Sequence, residues 1–159
     1  MCGIRNKIIY PEFKSLINDY DIICFTETKL DDLDNLESDD FLFRYKNRKK
    51  VATYKSGGIA IGYKKCLHKF IKPIETDCQY VYWLNIDKQL FNLSQHVIIG
   101  VIYIPPVNSL YSSDEAYTEI ELELQRFFQT TKNIILTGDF NSRTASLLDF
   151  YDVEDGNFF

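Results

Sequence analysis

The sequence predicts a layered α/β sandwich of mixed, largely antiparallel sheets flanked by helices. Short apolar runs of strand length recur along the chain, several separated only by short turns. Two segments, one early and one late, carry apolar residues at helical spacing. Hydrophobic residues make up 45% of the 159, aromatics 15%, and two sheets are needed to cover that much apolar surface.

Ile9, Phe13, Leu16, Ile17 and Tyr20 predict a first helix, with Pro11 tolerated in its opening turn. The run from Asp21 to Phe25 is the first strand, and the acidic stretch over 31–40 reads as a mobile loop. It lacks the glycine and closing glutamate of a calcium loop. Strands are expected at 41–45, 50–54, 58–63, 80–87 and 96–103, their close spacing implying antiparallel pairing. Ser112 and Glu115 fit a capping box opening a second helix, whose apolar face is Tyr117, Ile120, Leu124, Phe127 and Phe128. A final strand runs through Ile134 to Leu136, and an open edge there predicts poor solubility.

Length and the absence of Pro/Gly/Ser-rich linkers or repeats point to a single domain over 1–159. No run approaches the roughly 18 to 20 apolar residues of a membrane span, and the amino end lacks a signal-peptide core. Cys2, Cys24, Cys66 and Cys78 have no metal-ligand spacing. Cys24, inside an apolar strand, reads as a buried thiol, in keeping with a reducing intracellular location, nuclear or cytoplasmic rather than secreted.

The chemistry gathers at strand exits. The apolar Ile134-Ile135-Leu136 leads through Thr137-Gly138 into Asp139-Phe140-Asn141. Strand alternation would turn Asp139 and Asn141 to one side and Phe140 back to the core. A carboxylate there can take a proton or hold a metal, and an amide can donate to a phosphate oxygen without adding negative charge. The first strand exits at Glu27, and the 96–103 strand at Tyr103 before Pro105-Pro106. The carboxyl-terminal rim of such strands is where ligands bind in layered α/β folds. Each residue also has a plain structural account: turn former, solvated strand end or rim aromatic.

In this order, Ile23-Cys24-Phe25-Thr26-Glu27-Thr28, Gly57-Gly58-Ile59-Ala60-Ile61, Tyr103-Ile104-Pro105-Pro106 and Gly138-Asp139-Phe140-Asn141-Ser142-Arg143 resemble the endonuclease/exonuclease/phosphatase superfamily. The Glu27-Thr28-Lys29-Leu30 form and the Ser-Arg-Thr after Asn141 are most similar to the endonuclease domain of non-LTR retrotransposons. The resemblance implies metal-assisted phosphodiester hydrolysis, with nicking of DNA as the ancestral task. It makes Glu27 the metal ligand, Tyr103 the contact to the scissile phosphate, Asp139 the group that orients or deprotonates the attacking water, and Asn141 a holder of water and phosphate. Mg²⁺, with Mn²⁺ as a substitute, is the implied cofactor, since such an ion uses one or two carboxylates plus phosphate and water.

Three departures accompany the match. The asparagine of the family's first motif would fall before Met1, ahead of Gly3-Ile4-Arg5-Asn6-Lys7. No Ser-Asp-His follows Asn141, and His68 and His96 lie upstream outside any Asp-His pair. Pro106 stands where many relatives carry asparagine. The resemblance therefore implies a fragment incomplete at both ends, weakly active or inactive alone.

Charge favours a polyanion more than the net value of −5 suggests. Residues 44 to 72 hold ten of the 18 Lys and Arg and none of the 23 Asp and Glu. Such a block can track the phosphate backbone of DNA, or instead be a hairpin over 43–54 whose lysines keep an edge from pairing. Arg48, Lys49 and Lys50 in this block, and Arg143 beside Asn141, are candidate substrate-binding residues. Three readings result: a DNA endonuclease, a phosphoesterase on RNA or an inositol phosphate, or a non-catalytic remnant that binds nucleic acid. No obligate protein partner is evident.

Overall fold

The computed structural model describes residues 3–48 and 55–142. The order is α1 (Ile4–Lys7), α2 (Pro11–Asn18), β1 (Ile22–Thr26), β2 (Phe41–Lys46), β3 (Ile59–Lys64), β4 (Ile71–Ile74), β5 (Val81–Ile86), β6 (Val97–Tyr103), α3 (Ala116–Phe128) and β7 (Asn133–Asp139). One sheet has the order β1-β3-β2, all antiparallel, and the other β4-β5-β6-β7, antiparallel except for the parallel β6/β7 pair. This is the mixed, largely antiparallel sandwich that the sequence predicts.

Alternation along each strand sorts its side chains between two layers. Ile59, Ile61 and Tyr63 of β3 meet Tyr82, Leu84 and Ile86 of β5 and Val97, Val101 and Tyr103 of β6 in the space between the sheets. The opposite face of the first sheet, Ile23, Phe41, Phe43 and Ala60, packs on Ile4, Ile8, Phe13 and Ile17 from α1 and α2. The opposite face of the second, Val81, Trp83, Ile98 and Ile102, packs on Ala116, Ile120, Leu124 and Phe127 of α3. A buried polar tie fixes α3: Glu123 accepts from Trp83 Nε1 at 2.6 Å and from Thr76 Oγ1 at 3.1 Å, so its carboxylate enters the apolar layer with partners in place.

Several sequence expectations are revised. β4 was not anticipated, because its Ile-Lys-Pro-Ile contains Pro73; at a sheet edge proline removes no needed ladder bond. The capping box does not form: Ser113 Oγ accepts from Glu115 N at 3.2 Å, making a turn first, and α3 begins at Ala116 with no side-chain cap. Tyr117 and Phe128 of its expected apolar face are exposed, as are Ile9, Leu16 and Tyr20 around α2.

Cys24 is exposed rather than buried. Its strand lies at one edge of its sheet, as β7 lies at an edge of the other, and Ile135 on β7 is likewise 52% exposed. Partial desolvation of its sulfur still pushes the Cys24 thiol up to about 11. The 31–40 segment is clasped rather than loose: Leu36 is buried with the α2 layer, and Asp34 is buried among cations. The expected strand at 50–54 lies outside the described residues, and β2 pairs with β3. No helix among the described residues is long and apolar enough to cross a membrane.

Candidate active site at the strand exits

Three strand ends meet at one rim. β6 and β7 run parallel in a register that sets Tyr103 opposite Asp139, and the pairing continues through Ile104 N, which donates to Asp139 O at 2.9 Å. β1 lies across the sandwich, and the first residue beyond it, Glu27, accepts the Tyr103 phenol at Oε1 over 2.7 Å. Glu27, Tyr103 and Asp139, far apart in sequence, thus occupy one edge of the two sheets.

Glu27 adopts a left-handed backbone, φ 52°, as does Lys29 at φ 56°. Such a conformation is costly for residues with long side chains and persists where neighbours impose it. Here Thr28 N donates to Gly58 O at 3.3 Å, Lys29 N to Gly57 O at 2.9 Å and Ile4 N to Thr28 O at 3.2 Å. The loop is held on both sides, and Glu27 is left exposed at the rim.

The exit of β7 departs from simple alternation. Asn141 is left-handed, φ 44°, a conformation asparagine tolerates, and its N–H donates to Asp139 Oδ1 at 2.9 Å. The amide Nδ2 donates to Ile104 O at 2.6 Å. This Asx-type turn brings Asp139 and Asn141 to the same side by local hydrogen bonding, while Phe140 packs under α3. Gly138, φ 126°, has no side-chain alternative, because a Cβ there would collide with the Ile102 carbonyl oxygen. A cleft of about 560 Å³ beside Asn141 is lined by Pro106, Val107, Asn108, Tyr117 and Ser142. A second cleft of the same volume, between α2 and β2, touches none of the candidate residues.

Arg48 joins this site. Its guanidinium carbon lies 4.7 Å from the Tyr103 ring centroid and 5.1 Å from that of Tyr111. Tyr103, desolvated and donating to Glu27, has its pKa pushed up to about 12, with Arg48 opposing the rise. The phenol therefore keeps its proton across the physiological range and remains a donor. Lys49, Lys50 and Arg143 lie outside the described residues.

Among the described residues of the basic block, three lysines are engaged within the fold. Lys46 donates to the carbonyls of Thr76 and Cys78 at 2.9 and 2.8 Å, Lys64 pairs with Asp21 at 2.9 Å, and Lys55 pairs with Asp31 and Asp34 at 2.8 and 2.6 Å. Lys55 and Asp34 were not singled out by sequence, where Asp34 is one of several acidic residues in the run over 31–40. Asp34 also accepts from Arg5 at 2.9 Å and from Asp31 N at 3.0 Å, and its carboxyl is held down at about 2, chiefly by the Lys55 hydrogen bond. His68 stacks on Tyr63, and His96 O accepts from Thr131 Oγ1 at 2.7 Å, both ordinary packing roles.

The sequence model of the Endonuclease/Exonuclease/phosphatase family matches residues 11–154. The chain belongs to this family. Members of the Endonuclease/Exonuclease/phosphatase family are hydrolytic enzymes of phosphoesters that generally use divalent metals. The fold is also similar to the human Nocturnin catalytic domain, solved with a bound sulfate anion, at 16% identity and a TM-score of 0.53. That likeness covers 89% of this chain and 62% of the Nocturnin chain, so the present chain spans less than two thirds of its length. No curated protein matches.

Among the described residues no group of three or more His, Cys, Asp or Glu gathers as a metal cluster. The donor set at the rim still fits a hard divalent ion. Glu27 and Asp139 are both exposed carboxylates, and Mg²⁺ is commonly held by one or two of these with substrate phosphate and water completing the shell.

Proposed function

We propose that this chain carries active-site residues of a metal-dependent phosphodiesterase, a DNA endonuclease of retrotransposon type that nicks its target. The observation that carries the reading is the hydrogen bond joining Tyr103 to Glu27 at the same rim where the register sets Asp139 opposite Tyr103. Glu27 would hold Mg²⁺ or Mn²⁺, which when bound offsets charge on the phosphoryl oxygens and acidifies water. Asp139, its Oδ1 fixed by the Asn141 N–H, would take the proton of the attacking water at its other oxygen. Tyr103 would donate its phenolic proton to a non-bridging phosphate oxygen, exchanging the Glu27 acceptor for the substrate. Asn141, its side chain fixed on Ile104 O, would present its remaining amide valences to water or phosphate. Arg48, with Lys49, Lys50 and Arg143, would bind the backbone of DNA.

A smaller phosphoester or RNA is the second reading. It is favoured by the engagement of Lys46, Lys55 and Lys64 within the fold, which thins the field available to duplex DNA. Incubation with supercoiled plasmid and Mg²⁺ tests both readings. Nicking lost in Asp139→Ala and Glu27→Ala is the expected result; turnover of RNA or a phosphoinositide without nicking would move the substrate, and salt-dependent DNA binding without turnover would leave a non-catalytic binder.

A further inference from the structure

The guanidinium of Arg48 lies in a receptacle built from three separate parts of the chain. The Tyr103 ring at the end of β6 forms one wall, at 4.7 Å, and the Tyr111 ring another, at 5.1 Å. Gly57 forms the third: a Cβ at this residue would lie 2.5 Å from Arg48 Cζ and Nη1 and 2.8 Å from Nε, so the guanidinium rests where a side chain would otherwise stand. Contact with two aromatic rings at once suits the flat guanidinium of arginine better than the ammonium of lysine.

Tyr111 reaches Arg48 because the connection after β6 folds back in successive turns. Ser109 N donates to Pro106 O at 2.8 Å, Ser112 N to Ser109 O at 3.0 Å, and Tyr111 N to Ser109 Oγ at 3.2 Å. The same connection turns Val107 and Leu110 outward, at 82% and 83% exposure. A loop free to collapse would bury those aliphatic groups before a tyrosine. It instead places its aromatic ring on a cation at the rim that carries Glu27, Tyr103 and Asp139.

We infer that Tyr111 is a positioning residue that, with Tyr103 and Gly57, holds Arg48 as a preformed receptor for the substrate's phosphate. This rests on the phosphodiesterase reading and assigns the charge recognition of that site. Fixing a long side chain before binding removes an ordering cost that a free arginine carries into each encounter. Tyr111 acts through Arg48 and need not touch the substrate.

The Arg48 Nε–Hε NMR signal of the full chain, titrated with inorganic phosphate, tests the inference without requiring turnover. In the wild type the signal should be rigid and shift on phosphate addition. Tyr111→Ala should make it mobile and weaken phosphate binding about tenfold, while Tyr111→Phe, which keeps the ring, stays within about threefold. Arg48→Lys should not restore the affinity lost in Arg48→Ala. With a labelled oligonucleotide, the double variant Arg48→Ala/Tyr111→Ala should bind no more weakly than Arg48→Ala alone, the signature of two residues acting as one unit. A wild-type signal indifferent to phosphate, a Tyr111→Ala variant that binds like wild type, or losses that multiply would each overturn the inference. A wild type that binds phosphate through Arg48 yet cleaves no phosphodiester would leave the receptor standing and remove the hydrolase.

Discussion

Two carboxylates on the segment that follows β1 have opposite surroundings. Asp34 is 6% exposed and accepts from Arg5, Lys55 and the Asp31 N–H, while its carbonyl accepts from Tyr45 at 2.9 Å. Glu27 is exposed and accepts a phenol whose own proton is firmly held. A carboxylate compensated by protein cations has its charge committed to the fold, and leaving it unpaired would be costly. One facing a neutral donor at an open rim keeps its negative charge for a ligand. On the proposed reading, the difference separates an acidic residue that holds the fold from one that would hold the metal.

The largest expected effect tests the working side. Glu27→Gln, which removes the proposed metal ligand, and Asp139→Asn, which removes the proposed base, should each lower Mg²⁺-dependent hydrolysis, the latter by roughly 10²- to 10⁴-fold, the range associated with loss of a positioned acid–base group. Both should leave thermal stability nearly unchanged. Plasmid nicking beside a melting curve for each variant supplies both readouts. A fall in melting temperature matching that of an Asp34 variant would erase the contrast, since Glu27 would then be a structural residue too.

Asp34→Asn should give the reverse pattern, with turnover within a few-fold of wild type and a loss of about 1.5–3 kcal/mol, the scale of a hydrogen bond to a charged group. The pH dependence follows from the folded-state shifts. Asp34 is held at about 2 against an ordinary 3.8, so its contribution is complete above the ordinary value and lost as pH falls through that interval. Lys55 is shifted upward from 10.5 by Asp31 and Asp34, so its contribution is complete below 10.5 and lost as pH rises through the higher folded value. The gap in melting temperature between wild type and Asp34→Asn should be flat from roughly pH 5 to 9 and close on either side. A gap that changes near neutrality would implicate some other group.

Gly138→Ala sharpens the comparison from the strand opposite. Its Cβ would strike the Ile102 carbonyl, and φ 126° is unfavourable for alanine. The β6/β7 register that places Asp139 beside Tyr103 must then shift. A cost above about 1 kcal/mol is expected, together with lost activity, a pairing that neither the Glu27 nor the Asp34 variants should show.

What the sequence disclosed follows the same division. Glu27, Tyr103 and Asp139 were legible because each ends an apolar strand, and a strand's end is written in local alternation. The Asx turn at Asn141 was only half legible, since alternation gives the side it faces but not the bond from Nδ2 to Ile104 O. Asp34, Lys55 and Arg5 were hidden because their meeting depends on how α1 and two loops pack, and no period in the chain encodes that. Tyr111 was hidden for the same reason: its partner Arg48 is brought to it by the β2/β3 sheet and the turns after β6. β4 shows the converse, a strand whose Pro73 argued against it locally and whose place at a sheet edge permitted it.

The smallest effect probes the bond on which the contrast turns. Tyr103→Phe keeps the ring that packs between the sheets and under Arg48, and deletes only the hydroxyl that donates to Glu27 over 2.7 Å. Because Glu27 is exposed, water replaces the lost donor, and a net cost of about 0.5–1.5 kcal/mol or less is expected. Hydrolysis should fall more than stability, because the same proton is needed by the phosphate oxygen once substrate arrives. Unfolding by urea and initial rates on one preparation compare the two. If Tyr103→Phe cost as much stability as Asp34→Asn and spared turnover, the Tyr103–Glu27 bond would be a second structural clasp. The rim would then hold no carboxylate kept open for a cation except Asp139.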